Sequence, residues 1–488
     1  MSDVGPESIV RPGEAPRLQR AIMPLVAAHP LHSGLYPLAE GLDAFAARYL
    51  LIAMAQQTLD IQYYIWQNDM SGRLLFSALL EAAQRGVKVR LLLDDNNTQG
   101  LDETLSELNR HENIEIRLFN PFSFRLLRAL GYLTDFARLN RRMHNKSFTV
   151  DGEATIVGGR NIGDEYFGAG DAPLFSDLDV LAVGPVVSDV SRDFGRYWQC
   201  QAVAPLASVI EEAAADAPSA VSLPEAWRDS EQVQRYLSRL QNSTFVSELE
   251  QRSLPFIWAH TRLLSDDPRK GLGRAKTSSL LPQRLLEVIG QPQQQFDIIS
   301  AYFVPTRSGV AQLLALVRKG VKIAILTNSL AANDVSVVHA GYAKWRKKLL
   351  RHGITLYELK PQGNAQDAPH DRGLTGNSGS SLHAKTFSVD NKTVFIGSFN
   401  FDPRSAVLNT EMGLVIESES LASTLHQRFI DNLRERAWTL RLDKWGRVNW
   451  VEYPGEAREQ VHKHEPRTRL MQRLLVRLVW RLPIEWLL

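Results

Sequence analysis

Short apolar runs bounded by turn residues alternate along this chain with stretches of helical spacing. Leu59-Asp-Ile-Gln-Tyr-Tyr-Ile-Trp66, Val87-Lys-Val-Arg-Leu-Leu-Leu93, Phe148-Thr-Val150 and Ala154-Thr-Ile-Val157 read as strands. Leu74-Leu-Phe-Ser-Ala-Leu-Leu80 and Ala311-Gln-Leu-Leu-Ala-Leu-Val317 read as buried helix faces. Strands that alternate with helices predict an α/β architecture. Asp151-Gly152 and Asp390-Asn391 are turn pairs between strands, so each predicts a hairpin.

The pattern occurs twice. Thr58-Leu-Asp-Ile-Gln resembles Gln295-Phe-Asp-Ile-Ile, and Arg85-Gly-Val-Lys-Val resembles Lys319-Gly-Val-Lys-Ile, with the copies offset by about 235 to 240 residues. An internal duplication follows, with two lobes at residues 35–212 and 254–445. Around them the expected parts are an N-terminal extension (1–34), a linker (213–253) and a C-terminal tail (446–488). A chain of 488 residues is long enough for two cores.

The chemistry lies in a constellation that each half repeats. His144, Lys146, Asp151, Gly158, Gly159 and Asn161 recur as His383, Lys385, Asp390, Gly397, Ser398 and Asn400. In both copies His to Lys is two residues, His to Asp seven and His to Asn seventeen. Strand alternation puts His and Lys on one face, where both can reach one ligand. Breaking a phosphodiester takes a nucleophile, a proton donor for the leaving oxygen and positive charge around the non-bridging oxygens. Two facing His-x-Lys halves supply all three. Lys146, Lys385, Asn161, Asn400 and the Ser398 hydroxyl are the candidate phosphate ligands. Gly158, Gly159 and Gly397 are expected to let backbone approach an anion, and Asp151 and Asp390, in the turns, to serve site architecture.

These residues resemble the phospholipase D superfamily, and most closely the bacterial cardiolipin synthases of the C type. Asn120-Pro-Phe-Ser-Phe124, Asn161-Ile-Gly-Asp-Glu-Tyr-Phe167, Leu264-Ser-Asp-Asp-Pro268 and Phe401-Asp-Pro-Arg-Ser405 extend the likeness over nearly the whole chain. The resemblance implies two phospholipase D-like lobes, each a mixed sheet flanked by helices, with one active site at their interface. It implies His144 as nucleophile and His383 as general acid and then base, although the pattern alone leaves the two interchangeable. It also implies a carboxylate behind each histidine: Glu411 in the second half, and Asp177 in the first with Asp179 as competitor. The implied reaction is phosphatidyl transfer to phosphatidylglycerol through a phosphatidyl-histidine, with phosphatidylethanolamine or a second phosphatidylglycerol as donor. Hydrolysis to phosphatidic acid uses the same residues.

The sequence contains no His-Glu-x-x-His pattern and one cysteine, Cys200, so no metal or other cofactor is expected. A formal net charge of +2, with basic clusters interleaved by large apolar residues, argues against a nuclease and a nucleic-acid partner. Met1-Ser-Asp-Val-Gly lacks a basic start and an apolar core, and no run reaches a membrane-spanning length. The expectation is a peripheral protein on the cytoplasmic face of a bacterial inner membrane, with phospholipid substrates and an anionic membrane surface as partners. Arg469, Arg473, Arg477 and Arg481 recur every four residues among Leu, Val and Trp480, as a helix lying in an anionic headgroup layer requires. Lys344-Trp-Arg-Lys-Lys-Leu-Leu-Arg351 and the group Phe122, Phe124, Arg125, Arg128 and Tyr132 are two further membrane candidates. Residues 360–381, rich in Gly, Asn, Pro and Ser, read as a loop at the site mouth.

Overall fold

A computed structural model describes residues 15–481 apart from 124, 126, 170–175, 212–218, 334–335, 362–381 and 454–458. The first half lays down β1 (Ser33–Leu38), β2 (Thr58–Tyr63), β3 (Lys88–Asp94), β4 (Ile114–Phe119), β5 (Ser147–Val150), β6 (Ala154–Gly158), β7 (Asp179–Val183) and β8 (Val203–Pro205). The second lays down β9 (Ile257–Ser265), β10 (Gln295–Ser300), β11 (Lys322–Asn328), β12 (Thr355–Leu359), β13 (Lys385–Val389), β14 (Thr393–Gly397), β15 (Met412–Glu417) and β16 (Ala437–Leu442), followed by β17 (Val448–Glu452) and β18 (Gln460–His462).

Strand order reveals the duplication directly. The first sheet runs β8-β4-β3-β2-β5-β6-β7-β1, and the second runs β16-β12-β11-β10-β13-β14-β15-β9. In each, three strands are parallel and the rest antiparallel. Parallel neighbours need long crossovers, supplied by the helices Met70–Gln84 and Asp102–Asn109 in the first lobe and Thr306–Arg318 in the second. β9 belongs to both sheets: residues 257–259 pair with β1 and residues 260–265 with β15.

The strands next to the lobe interface are apolar on both faces, and alternation sorts the faces. In β14 Phe395 enters the second lobe's core, while Val394 and Ile396 join Val157, Val180, Ala182, Met412 and Leu414 in a layer shared by both lobes. In β7 Leu181 and Val183 face the first lobe's own core instead. A one-residue slip would exchange the two sets.

Two expected boundaries differ from the structure. The described part of the expected linker forms helices Glu225–Arg228, Glu231–Gln241 and Thr244–Glu250, and Val233, Tyr236, Leu240 and Phe245 sit in the first lobe's core. Its polar composition hides an apolar stripe at helical spacing. The expected tail begins with β17 and β18, which extend the second sheet from β16. Only beyond them does a helix, Leu470–Val479, lie on the surface, docked through Val476 against Leu330, Ala340 and Ala343.

Candidate active site

The His-Lys segments lead into β5 and β13, and each is tied by backbone to the other lobe. His144 N–H donates to the Thr410 carbonyl at 2.9 Å, and His383 N–H donates to the Ser176 carbonyl at 2.9 Å. The residue after each acceptor is a carboxylate aimed back at the histidine. His144 Nδ1 lies 2.9 Å from Glu411 Oε2, and His383 Nδ1 lies 2.6 Å from Asp177 Oδ2. Each histidine therefore takes its carboxylate from the opposite lobe, which fixes the ring; on His383 the other ring nitrogen, Nε2, lies 3.1 Å from Lys385 Nζ. Gly158 faces Asp179 across β6–β7 as Gly397 faces Gly413 across β14–β15, so Asp177 and Glu411 occupy equivalent positions. Asp179 is engaged elsewhere, with Arg48 at 2.7 Å and Arg160 at 3.5 Å, all three buried. Removing one member of that group would cost about 3–5 kcal/mol through uncompensated charge.

Lys146 Nζ donates to the His144 carbonyl at 2.7 Å, and Lys385 Nζ donates to the His383 carbonyl and lies 2.9 Å from His383 Nδ1. Burial followed by the charges of Lys146 and Lys385 pushes His144 well below its usual value. Burial and then Lys385 push His383 down to about 3, against the pull of Asp177, with Lys146 adding to the fall. Each histidine thus feels both lysines, so the two halves act electrostatically as one group. Burial lowers Lys146 to about 7.

The carboxylates are not alike. Burial would raise Asp177, but His383 and Lys385 outweigh it and hold the group well below the usual carboxylate range. Burial dominates at Glu411 and lifts it to about 7, against Lys146 and a hydrogen bond from Ser398.

Several expected roles take a different form. A Cβ on Gly159 would meet Asp177 Oδ1 at 2.2 Å, and one on Gly158 would meet Asp179 Oδ1 at 2.1 Å. The anion these glycines admit is the protein's own carboxylate. A Cβ on Gly397 would meet the Met412 carbonyl oxygen at 2.3 Å, so this glycine accommodates β15. The Ser398 hydroxyl, fully buried, donates to Glu411 Oε2 and accepts from Met412 N–H, which turns it toward the carboxylate rather than a substrate phosphate. Asn161 accepts from Ile65 N–H at 3.2 Å and donates to the Tyr166 hydroxyl at 3.0 Å, so both ends of its amide are engaged. Asn400 is buried, and its Oδ1 has no partner among the described residues. Asp151 and Asp390 adopt positive φ in their hairpins, and each carboxylate accepts three backbone N–H groups where β2 or β10 begins. They fasten hairpin to neighbouring strand at the far end from the histidines.

Two aromatic neighbours escaped the sequence reading. The Tyr64 ring meets His144 edge-on at 4.9 Å with Lys146 Nζ 5.6 Å above it, and the Tyr166 ring meets His383 edge-on at 5.1 Å. Tyr166 had a signal, standing five residues after Asn161 in the stretch that carried the resemblance.

The membrane candidates also rearrange. Phe122 is buried, Arg125 pairs with Asp95 and Asp102, Arg128 donates to the Asp95 and Asn96 carbonyls, and Tyr132 donates to Asn96. These groups hold the segment to the loop after β3; Leu127, Leu130, Leu133 and Phe136 are the exposed ones. Phe124 lies outside the described residues, as do 362–381 of the expected loop. In the basic stretch, Arg346 is buried against Glu358 and Glu465. Arg469, Arg477, Arg481 and Trp480 are exposed on the last helix and Arg473 is half-buried. No helix among the described residues is long and apolar enough to cross a membrane.

A family model described as cardiolipin synthase, phospholipase D-like domain, matches the chain twice, at residues 50–198 and 285–433. The chain belongs to this family. Each match contains one His-Lys pair and one of the two carboxylates, and the crossed pairing joins the pair of one match to the carboxylate of the other. Cardiolipin synthase C of Escherichia coli (strain K12) is 65% identical over 473 residues, covering 97% of this chain and 100% of that protein. An uncharacterized protein of Helicobacter pylori (strain ATCC 700392 / 26695) is 34% identical over 427 residues, covering 84% of this chain and 81% of that protein. Among solved structures, the phosphatidylserine synthase of Haemophilus influenzae Rd KW20 has a similar fold, with a TM-score of 0.60 at 14% identity, covering 96% of this chain and 100% of that one.

Proposed function

We propose that this protein is a cardiolipin synthase, which transfers a phosphatidyl group from a donor phospholipid to a glycerol hydroxyl of phosphatidylglycerol. The observation that carries the reading is the crossed pairing, in which each histidine of one lobe is held by a carboxylate of the other, with a lysine beside each histidine. The 65% identity to a protein named cardiolipin synthase C supports the same reaction class.

His144 Nε2 attacks phosphorus and the bond to the headgroup oxygen breaks, while His383 gives that oxygen its proton. His383 then takes the proton of the incoming hydroxyl, whose oxygen attacks phosphorus as the phosphorus–nitrogen bond breaks and His144 is regenerated. The second-layer carboxylates favour this division. A firmly ionised Asp177 supports an imidazolium at His383, whereas Glu411, lifted to about 7, gives His144 weaker help to hold a proton and leaves it a neutral nucleophile. A bound phosphodiester anion offsets the lysine charges that depress His383 and lets it carry its proton. Lys146, Lys385 and Asn400 hold the non-bridging oxygens as charge builds. Phosphatidylethanolamine is the favoured donor, releasing ethanolamine.

The last helix brings the enzyme to its substrate. Leu470, Met471, Leu474, Leu475 and Leu478 form one exposed apolar stripe flanked by Arg477 and Arg481, as an anionic bilayer surface requires. The test is to incubate the protein with vesicles of isotope-labelled phosphatidylglycerol, with and without phosphatidylethanolamine, and identify lipids and headgroups by mass spectrometry. Cardiolipin with release of ethanolamine is expected when both lipids are present. Phosphatidic acid without cardiolipin would refute the synthase.

A further inference from the structure

The two half-sites match in their catalytic groups and differ in their walls. Bridges Trp66–Ile162 and Phe303–Phe401 occupy the same place in the two lobes. Counting from Ile162 and Phe401 makes Asn161 equivalent to Asn400, Glu165 to Arg404 and Tyr166 to Ser405. Strand register makes Tyr64 equivalent to Ala301. The first lobe's wall therefore carries two aromatic rings and a carboxylate, while the second carries small residues and a guanidinium. The difference extends to the amides, since Asn161 is engaged at both ends and buried Asn400 keeps an unpartnered oxygen. Arg404 is half-buried and reaches across the interface to Asn140, donating to its Oδ1 at 2.8 Å and its carbonyl at 3.0 Å. These are neutral acceptors, and no ion pair within 4 Å engages Arg404 among the described residues; its charge is felt at His144 and at the buried carboxyl of Asp402.

We propose that Arg404 forms a second phosphate subsite that holds the acceptor phospholipid, with Asn400 reaching the acceptor's headgroup. Arg404 binds the phosphodiester that the acceptor already carries, and Asn400 Oδ1 accepts from a hydroxyl of its glycerol headgroup. The proposal rests on the synthase reading above. A hydrolase needs to hold one phosphate, but a product with two phosphates joined through glycerol needs positive charge in two places. The bridge, P–O–C–C–C–O–P, lets the second phosphate reach either wall, and at the equivalent position the first lobe has Glu165, a carboxyl that burial lifts to about 7 and that offers no positive charge. A guanidinium matches the fork of phosphate oxygens better than an ammonium.

The experiment measures cardiolipin and phosphatidic acid made by wild type, Arg404→Gln and Arg404→Lys from mixed phosphatidylglycerol and phosphatidylethanolamine vesicles. In Arg404→Gln the ratio of cardiolipin to phosphatidic acid is expected to fall about tenfold or more, the size of a lost charge-assisted hydrogen bond. KM for phosphatidylglycerol rises while phosphatidic acid release continues, because water takes the acceptor's place. Arg404→Lys recovers part of the ratio. An unchanged ratio in Arg404→Gln, or loss of both products in proportion, overturns the subsite while leaving the synthase intact. A wild type that makes phosphatidic acid alone overturns the synthase reading and the subsite with it.

Discussion

Behind His383 stands an aspartate whose other oxygen accepts the Leu178 N–H, with no room for a side chain on Gly159 beside it. Behind His144 stands a glutamate that shares one oxygen with Ser398 and has no partner for the other among the described residues. The duplication kept a lysine on each histidine's carbonyl and a carboxylate on each Nδ1 and changed what surrounds the carboxylates. In the proposed mechanism, two imidazoles that start near the same pKa in free solution are separated in role by their second layer.

The largest effect that could break this comparison is loss of either imidazole. His144→Ala and His383→Ala are each expected to lower turnover about a thousandfold or more. A donor with a p-nitrophenolate leaving group separates them: it needs little acid help, so His383→Ala should still release a burst of nitrophenol and His144→Ala should not. A burst in His144→Ala alone would exchange the two roles. A smaller contrast lies in the carboxylates. Asp177→Asn removes a fixed anion and should cost about a hundredfold or more in kcat, whereas Glu411→Gln replaces a group already near neutrality and should cost about tenfold or less. Equal losses would mean that the two carboxylates do the same work. Next comes pH. Lys146 must be charged to hold the phosphate oxygens, and burial has lowered it to about 7. Its protonated fraction falls as pH rises through that value, so kcat/KM should decline above pH 7, approaching tenfold per unit. A profile flat to pH 9 would remove Lys146 as the limiting group. The smallest expected effect concerns residues 467–488: deletion should weaken sedimentation with anionic vesicles and change turnover in detergent micelles by less than about threefold. Unchanged vesicle binding would move the membrane contact elsewhere, Leu127 to Phe136 being another exposed apolar group.

Strand pattern and motif spacing made the duplication, the hairpins and the His-Lys pairs legible, because these are local features with fixed periods. The crossed pairing was not legible. Asp177 and Glu411 lie 33 and 28 residues after the histidines of their own halves, yet each serves the histidine of the other half. Nothing local records which lobe a side chain faces. The glycines illustrate the same limit. Their spacing signals close approach to an anion but not whether that anion is substrate or Asp177. Arg346, read as part of a basic surface, is buried because its partners Glu358 and Glu465 lie 12 and 119 residues away. Arg404 stood in a quoted motif, and the role proposed for it arose only once the Ile162 and Phe401 bridges set it against Glu165.

The exchange of carboxylates between lobes bears on the order in which activity arises during synthesis. The first lobe leaves the ribosome with its own sheet and core, but the backbone acceptor and the carboxylate that hold His144 are Thr410 and Glu411, more than 260 residues later in the chain. A nascent chain that already meets the membrane thus carries no oriented histidine able to cut the lipids around it, and phosphodiester chemistry switches on when the second lobe closes against the first.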